Sequence, residues 1–523
     1  MTPFFRHIPP TQEQEAHPMR RLALMLSCAL APFAAIAQDH GAPEPSPSAK
    51  PLPFTSMQPE LFGVVGSLSN AWGDFDNDGD LDLAVSLKSG ELRLYRNDNG
   101  VFTNIGAQLG LPTSGRELRG LSWGDYDGDG WLDLHGGATS PKELSFVFHN
   151  EGGKSFKEVA AEIGLTVPGR SARQTSWVDY DNDGDLDLYA TDRIGENKLF
   201  RNDGGKFTQV FVGTGPTDAR PTVGACWFDY DRDGDLDLFL ANQSGATDAL
   251  WRNDGTSFTD VAPQLGMDSP GRTKEEGGVG CAVGDYDNDG YLDLFVPNYG
   301  KNALYHNNRD GTFTNVAHEL GVDFENHAVG AAWGDYDNDG FLDLSIMSYE
   351  GPVGQQEPKN TLLHNEGGKR FVNVLPHASP LNAGDHSTQW VDYNRDGALD
   401  LSITDGYGPV GGHFLFRNDL PKKDARRSLS VLVLDAKGHF TRAGAEVRLL
   451  DAKGAVIATR QVSTGDGYNT QSAIPVTFGL KTTAPVTVEV TFMDKGGRKI
   501  QKIGKVSPLA YAGKSLVVKQ ILD

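Results

Sequence analysis

The sequence predicts an all-β protein: a seven-bladed β-propeller built around Asp loops, followed by a small C-terminal β-sandwich. Three observations predict it. First, the nine-residue pattern D-x-[DN]-x-D-G-x-x-D occurs seven times, beginning at Asp74, Asp125, Asp179, Asp229, Asp285, Asp335 and Asp392. The spacings are 51, 54, 50, 56, 50 and 57 residues, and a period near 50 marks a propeller or a related array. Second, every unit holds short β-branched and aromatic runs separated by Gly, Asn and Asp turns, which read as an antiparallel four-stranded sheet. Third, the pattern stops after Lys423, and alternating runs such as SLSVLVLD and PVTVEVTFM take over, as in a sandwich.

The chain opens on a targeting segment. Met19-Arg-Arg precedes an apolar run over residues 22–37 that ends in Ala35-Ile-Ala37, a small-x-small cleavage site. Residues 1–37 therefore read as a signal-peptide region whose true start is Met19. Cys28 has too short an apolar run before it for a lipoprotein signal. Residues 38–52 are Pro- and Ser-rich, as in a linker. Export places the mature chain in the periplasm, at the cell surface or in the medium, where disulfides are permitted. The mature cysteines, Cys226 and Cys281, lie three and four residues before their first Asp. On regular strands that difference points the side chains to opposite faces, so they are expected to stay unbridged.

From residue 53 to 420 one grammar repeats. An apolar run ends in Trp-Gly-Asp or a variant, with Trp72, Trp123, Trp177, Trp227, Trp333 and Trp390, and Val283 in unit five. The Asp loop follows, then Leu-Asp-Leu with alternating apolar residues, a third strand such as NKLFRNDGG, and a fourth reading Phe-Thr-x-Val. Unit seven lacks that fourth strand, while Pro53-Phe-Thr-Ser-Met supplies a spare one at the other end. Residues 53–57 are expected to complete the seventh sheet and close the ring, which removes exposed edges. Residues 428–523 form the predicted sandwich.

The loops define hard-cation sites. Unit one offers Asp74, Asp76, Asp78, Asp80 and Asp82; unit two Asp125, Asp127, Asp129, Trp131 and Asp133; unit three Asp179, Asp181, Asp183, Asp185 and Asp187. Unit four offers Asp229, Asp231, Asp233, Asp235 and Asp237; unit five Asp285, Asp287, Asp289, Tyr291 and Asp293; unit six Asp335, Asp337, Asp339, Phe341 and Asp343; unit seven Asp392, Asn394, Asp396, Ala398 and Asp400. Positions 1, 3, 5 and 9 supply carboxylates, the Gly at position 6 permits the sharp turn, and the variable position 7 fits a backbone carbonyl donor. Six to eight oxygens in a flexible shell is calcium chemistry, and up to seven Ca2+ are expected. Magnesium demands a tighter octahedron, and zinc would want His or Cys, absent from these positions. Two unit charges about 4 Å apart repel by roughly 4 kcal/mol at an effective dielectric near 20, so four carboxylates in nine residues call for a cation. Asn394 predicts a weaker seventh site. About 30 of the 70 acidic residues sit in these loops, within a formal net charge of −23, which disfavours free nucleic acid as a partner.

These repeats resemble the FG-GAP/VCBS family, whose members include the calcium-loop blades of integrin α-chain propellers. The tail resembles the ASPIC/UnbV domain through Gly465-Asp-Gly-Tyr468-Asn-Thr-Gln471-Ser, Phe478-Gly-Leu480 and Ala443-Gly-Ala-Glu-Val447. The order of signal, repeats and tail is similar to bacterial members of the cartilage acidic protein family. The resemblance implies a secreted calcium-binding propeller associated with adhesion or matrix interaction, and no reaction. The Gly-x-Gly-Tyr-x-x-Gln motif reads as a tight turn with Tyr packed beneath it, or as a binding element using Tyr468 and Gln471.

No catalytic constellation stands out. Asp385-His386-Ser387 cannot form a triad on a strand, where neighbours point to opposite faces. Glu275-Glu276 lies in a Gly-rich, solvent-facing stretch. Segments 115–123 and 169–177 match as G-R-x-x-R-x-x-S-W. Arg116, Arg170 and Arg220 lie nine residues before their first Asp; Arg119, Arg173 and His386 lie six before. In a propeller these segments enter the innermost strands at the end opposite the Asp loops, which makes that channel mouth a candidate anion site for a carboxylated or sulfated glycan or an acidic peptide. The expected function is an exported calcium-binding protein of protein or glycan interaction, its partner an extracellular or periplasmic protein or glycan, and calcium mainly structural. The alternative is a secreted polysaccharide-active enzyme or carbohydrate-binding accessory protein.

Overall fold

The structure is a computed structural model and describes residues 42–47, 51–140, 142–168, 171–349, 360–406, 412–465 and 467–522. The targeting segment and Arg170 lie outside the described residues. Each unit folds as four antiparallel strands. In unit one these are Ser67–Gly73, Asp82–Leu87, Leu92–Asp98 and Val101–Asn104, with the Asp loop joining the first to the second. The first strand is buried throughout and the fourth is partly exposed, so each sheet runs from the channel outward.

Seven such sheets recur among the described residues. Closure follows the sequence expectation: Phe54–Met57 pairs antiparallel with His413–Asn418, placing Phe54 opposite Asn418. Neighbouring units are tied through their inner strands. Trp123 Nε1 donates to Ala71 O at 3.0 Å and Trp177 Nε1 to Ser122 O at 3.3 Å, each reaching back one unit. Asn70 Nδ2 donates to Ser402 Oγ at 2.7 Å and joins unit one to unit seven. Aromatic residues fill the space between sheets; Trp177 stacks on Tyr126 of the preceding unit. The Gly of Trp-Gly-Asp permits this approach, since a Cβ on Gly124 would meet the Trp177 ring at 2.6 Å.

A second tie is written in every unit. The third strand always carries an Asn: Asn97, Asn150, Asn202, Asn253, Asn307, Asn365 and Asn418. Asn202 Nδ2 donates to Tyr126 O of the preceding unit at 2.8 Å and to Leu186 O at 2.9 Å, while its Oδ1 accepts from Gly205 N at 2.7 Å. The bond to the preceding unit recurs from all seven Asn residues. Asn202→Ala should leave two buried carbonyls and an N–H unpaired and cost about 2–4 kcal/mol. A denaturant midpoint in calcium buffer unchanged from wild type would contradict the latch.

The tail forms two sheets packed face to face. Val476–Gly479, Ser428–Leu434 and Leu516–Lys519 make one; Val456–Gln461, Glu446–Leu450, Val486–Asp494 and Gly497–Val506 the other. Alternation in Ser428–Leu434 sends Leu429, Val431 and Val433 into the sandwich core with Val447, Phe478 and Val490.

One expectation is corrected, and so is the strand geometry assumed for another. Cys226 and Cys281 form a disulfide, with Cα atoms 6.2 Å apart. The parity argument assumed regular strands, but the inner strand of unit five begins only at Ala282. Cys281 lies outside the pleat and turns toward the neighbouring unit. The Asp385–His386–Ser387 stretch likewise precedes its strand, Thr388–Val391, so His386 Nδ1 does reach Asp385 Oδ1. Ser387 Oγ, however, has no hydrogen-bond partner, and no triad forms.

Candidate functional site

Each Asp loop is closed by its own carboxylates. Asp74 accepts from Asp78 N at 3.1 Å and Gly79 N at 3.0 Å, and the same pair of bonds recurs at Asp125, Asp179, Asp285, Asp335 and Asp392. Asp82 accepts from Phe75 N at 3.2 Å and from Asn97 N of the third strand at 2.8 Å. Position 1 therefore holds the turn and position 9 holds the sheet. Asn at position 4 suits the left-handed backbone there, with φ 57° at Asn77. Its side chain crosses to the next loop: Asn77 Nδ2 donates to Gly130 O at 3.0 Å and Asn288 Nδ2 to Gly340 O at 2.8 Å. Arg395 closes the circle by donating to Gly79 O at 2.9 Å. Position-7 side chains also face neighbours: Arg232 lies 3.4 Å over the Tyr291 ring, and Lys481 lies 4.0 Å from the Phe341 ring.

The carboxylates crowd beyond what hydrogen bonds satisfy. Buried Asp76 Oδ1, Asp133 Oδ2, Asp181 Oδ1, Asp229 Oδ1 and Asp400 Oδ2 have no hydrogen-bond partner. Burial, reinforced by Asp76 and Asp74, pushes Asp82 up to about 9. Burial likewise raises Asp74 to about 6, and Asp125 and Asp392 to about 7, with neighbouring loop carboxylates adding to it. Orphaned buried oxygens and suppressed ionisation fit a cation among these groups. Several of the Asp-rich groups have the spacing to hold a metal ion.

The donor set is wider than the loops. His149, His306 and His364 enter from third strands and place Nδ1 3.1, 3.1 and 3.0 Å from the position-9 carboxylates Asp133, Asp293 and Asp343. His and Cys are absent from the loop positions themselves, and the sheet brings these imidazoles in from the third strand. Position 9 is held to about 7 in these three units, where burial raises it and the imidazole pulls it back. In units three, four and seven, burial carries Asp187, Asp237 and Asp400 well above the ordinary range.

The tail sits on this loop face. His439 Nδ1 lies 3.6 Å from Asp125 Oδ2, beside Gly128, where position 4 has no side chain to cross, and Arg442 donates to Asp179 Oδ2 at 3.3 Å. Arg498 pairs with Asp229, and buried Arg460 acts electrostatically on Asp285 and Asp335. A cavity of about 460 Å³ remains between units one, two, five, six and seven and the outward face of the sandwich. Asp74, Asp125 and Asp392 line it opposite Leu432, Leu434 and Val517.

From this face the Gly-x-Gly-Tyr-x-x-Gln segment runs down the channel. Residues 468 and 469 form a turn and Tyr468 is buried there, as the turn reading of the motif expects. Thr470–Gln471 pairs parallel with Leu118–Gly124, and Gly467 and Ala331 exchange backbone bonds at 3.1 and 2.9 Å. Gln471 brackets Trp177, accepting from its N at 2.7 Å and donating to its O at 2.9 Å; Trp72 N donates to Ser472 Oγ at 3.1 Å. The inner strands would otherwise present unpaired backbone groups to the channel. Gln471, read from sequence as a possible ligand contact, is thus a backbone cap.

Tyr468 packs against Val223, Val279 and Val329, with its ring 5.7 Å from that of His386. Burial opposes ionisation of its hydroxyl, but Arg173, Arg119 and Arg193, with a hydrogen bond to Asn469, outweigh it and hold the group below the ordinary tyrosine value. Arg119, Arg173 and His386 therefore gather as the spacing suggested. Arg119 also pairs with Glu117 at 3.0 Å. Arg116 and Arg220 do not join them. Arg116 lies 3.8 Å over the Phe146 ring, and Arg220 is held by Asp218 at 2.7 Å and Asp260 at 3.0 Å. Arg193 follows the second strand, Asp187–Asp192, where first-strand offsets do not reach it.

The family of FG-GAP-like repeats matches residues 66–135, 179–240, 229–296 and 285–346, and the family described as ASPIC and UnbV matches 437–511. The chain is 26% identical over 208 residues to cartilage acidic protein 1 of Xenopus tropicalis, a match covering 38% of this chain and 31% of that protein. Among solved structures, a Burkholderia pseudomallei lectin aligns at TM-score 0.46 with 12% identity, covering 68% of this chain and 97% of its own. An Agrocybe aegerita lectin aligns at 0.37 with 15% identity, covering 70% and 94%, and a rhamnogalacturonan lyase at 0.39 with 13% identity, covering 73% and 76%. The chain thus carries FG-GAP-like repeats in its ring of sheets and an ASPIC and UnbV segment in the tail that threads the ring.

Proposed function

We propose that this is an exported interaction protein whose Asp loops hold calcium as scaffold and whose far channel mouth binds an anionic group of a glycan or acidic peptide. The observation that carries the reading is the convergence of Arg119, Arg173 and Arg193 on Tyr468, with His386 alongside. Planar guanidiniums suit carboxylate and sulfate, and the tail supplies the phenol that completes the group. The Asp loops, with only oxygen donors at positions 1, 3, 5 and 9, favour calcium over magnesium. The Cys226–Cys281 disulfide supports an oxidising, extracytoplasmic compartment.

The test is retention of the calcium-loaded chain on a sulfated or carboxylated glycan column. Arg119→Gln with Arg173→Gln should abolish retention, and Tyr468→Phe should weaken it several-fold with its melting temperature in calcium kept within a few degrees. Unchanged retention in both variants would reject the reading.

A further inference from the structure

The channel mouth that gathers the guanidiniums is divided into a cationic arc and an aromatic arc. Fourteen residues after its first Asp, where the second strand reaches the mouth, each unit places one residue. In order these are Lys88, Thr139, Arg193, Gln243, Tyr299, Tyr349 and Gly406. Cations thus fall in units one and three, beside Arg119 of unit two and Arg173 of unit three, and aromatic rings in units five and six. In unit seven a Cβ on Gly406 would meet the His386 imidazole at 3.0 Å, so His386 fills that place.

The two arcs meet around Tyr468. Tyr299 and Tyr349 lie near-parallel, with ring centroids 6.5 Å apart and planes 25° from one another. Tyr349 meets the His386 ring at 6.3 Å and 90°, and His386 lies 5.7 Å from the Tyr468 ring. Both tyrosines pack on the cluster of Val223, Val279, Val329 and Tyr468, yet each is only half-buried. Arg193, itself exposed, acts electrostatically on both Tyr299 and Tyr468. Lys88 faces Glu117, Asp385 and Asp405 as well as Arg119. Those acids balance it, which leaves the arginines to carry the positive side.

Guanidiniums alone hold sulfate, phosphate or a side-chain carboxylate without choosing among them. The aromatic arc makes the choice. Two adjoining tyrosine rings offer an apolar plane with a polar tip, and a site that combines such a plane with a few convergent charges selects by shape. A hexuronate matches both arcs. Its pyranose ring has a C–H face for the tyrosines, and its carboxylate is fixed to the ring edge. An acidic peptide carries its carboxylates on rotatable stems and brings backbone N–H and C=O groups that an aromatic plane leaves unpaired. We infer that the channel mouth is a uronate subsite, with Tyr299 and Tyr349 against the pyranose ring and Arg119, Arg173 and Arg193 on its carboxylate. The inference rests on the reading of this mouth as an anion site and names the ligand class.

The experiment measures binding of α-1,4-linked trigalacturonate, triglutamate and neutral maltotriose to the full calcium-loaded chain by titration calorimetry. Wild type should bind trigalacturonate at least about tenfold more tightly than either of the others, a difference of about 1.4 kcal/mol. Tyr299→Ala with Tyr349→Ala should weaken trigalacturonate about tenfold and change triglutamate less than about twofold. Tyr299→Phe with Tyr349→Phe should stay within about threefold of wild type, because the ring and not the hydroxyl makes the contact. Arg119→Gln with Arg173→Gln should lose both acidic ligands. Equal affinity of wild type for trigalacturonate and maltotriose overturns the uronate assignment, as does unchanged trigalacturonate affinity in the double Ala variant. Should that variant not fold, Tyr349→Leu alone must weaken trigalacturonate at least about threefold, and no loss overturns the assignment equally. Triglutamate bound as tightly as trigalacturonate overturns the assignment and leaves the anion site standing. Binding of neither acidic ligand to wild type overturns the anion-site reading itself.

Discussion

Chelating divalent cations should lower the melting temperature by roughly 10–15 °C. At tenfold saturation each site contributes about 1.4 kcal/mol, and seven contribute roughly 10 kcal/mol. With an unfolding entropy of about 2.1 cal/mol/K per residue, a ring of some 370 residues converts that to about 13 °C. The acid strengths give this loss a pH signature. In the ion-free chain, burial raises Asp125 and Asp392 to about 7 and Asp82 to about 9, from 3.8. A carboxyl raised in the folded state binds its proton more tightly there than in the unfolded chain. Its stabilising contribution is complete below the unfolded value and is lost as pH rises through the folded one. In chelator, stability should therefore climb as pH falls from about 8 to about 5. In saturating calcium the slope should reverse, because protons now compete with the ion for the same oxygens. Units one and seven, whose Asp74 and Asp392 line the cavity, should exchange their ion before the loops beneath Arg442 and Arg498. Scanning calorimetry across that pH range checks all of this. Coincident melting curves with and without chelator would remove the structural role of the metal.

The ring was legible because its instructions are repeated and local. Pattern spacing, the Trp before each loop and the spare strand at residues 53–57 each specify a contact inside one unit or between sequence-matched ends. The Asn latch shows where that legibility stops. Asn202 is as regular as the Asp loop, yet its main partner is a carbonyl 76 positions earlier, and no period in the sequence indicates the direction of the reach. His149 was overlooked for a related reason, since its carboxylate lies 16 positions away, across the sheet. Offset counting found Arg119 and Arg173 because both lie on first strands. It wrongly added Arg116 and Arg220, which precede those strands and settle in local contacts at the rim. The channel segment was the least legible. Its partners are backbone groups from several units, and backbone groups leave no mark in a sequence.

Gly467→Ala should expel that segment from the channel at a cost of at least about 4 kcal/mol. Gly467 has φ +72°, and a Cβ there would overlap Gln389 Nε2 and the Thr388 carbonyl. The left-handed backbone alone costs an L-residue roughly 1–2 kcal/mol. Gly454→Ala isolates that part: Gly454 has φ +84° and nothing within 4 Å of the added atom. The difference between the two variants therefore measures the close approach. Relief by a small shift is blocked, because Gly467 is fixed to Ala331 by two backbone bonds and Gln174 brackets Thr470, donating to its O at 2.7 Å and accepting from its N at 3.2 Å. The segment must leave as a whole, and with it go the caps on Trp72 and Trp177 and the placement of Tyr468 among the guanidiniums. In calcium, Gly467→Ala should melt in two steps, sandwich and ring apart. Amide exchange at residues 467–473 should rise by orders of magnitude, and retention on anionic glycans should fall. A single transition within about 1 kcal/mol of Gly454→Ala would show that the ring does not depend on its plug.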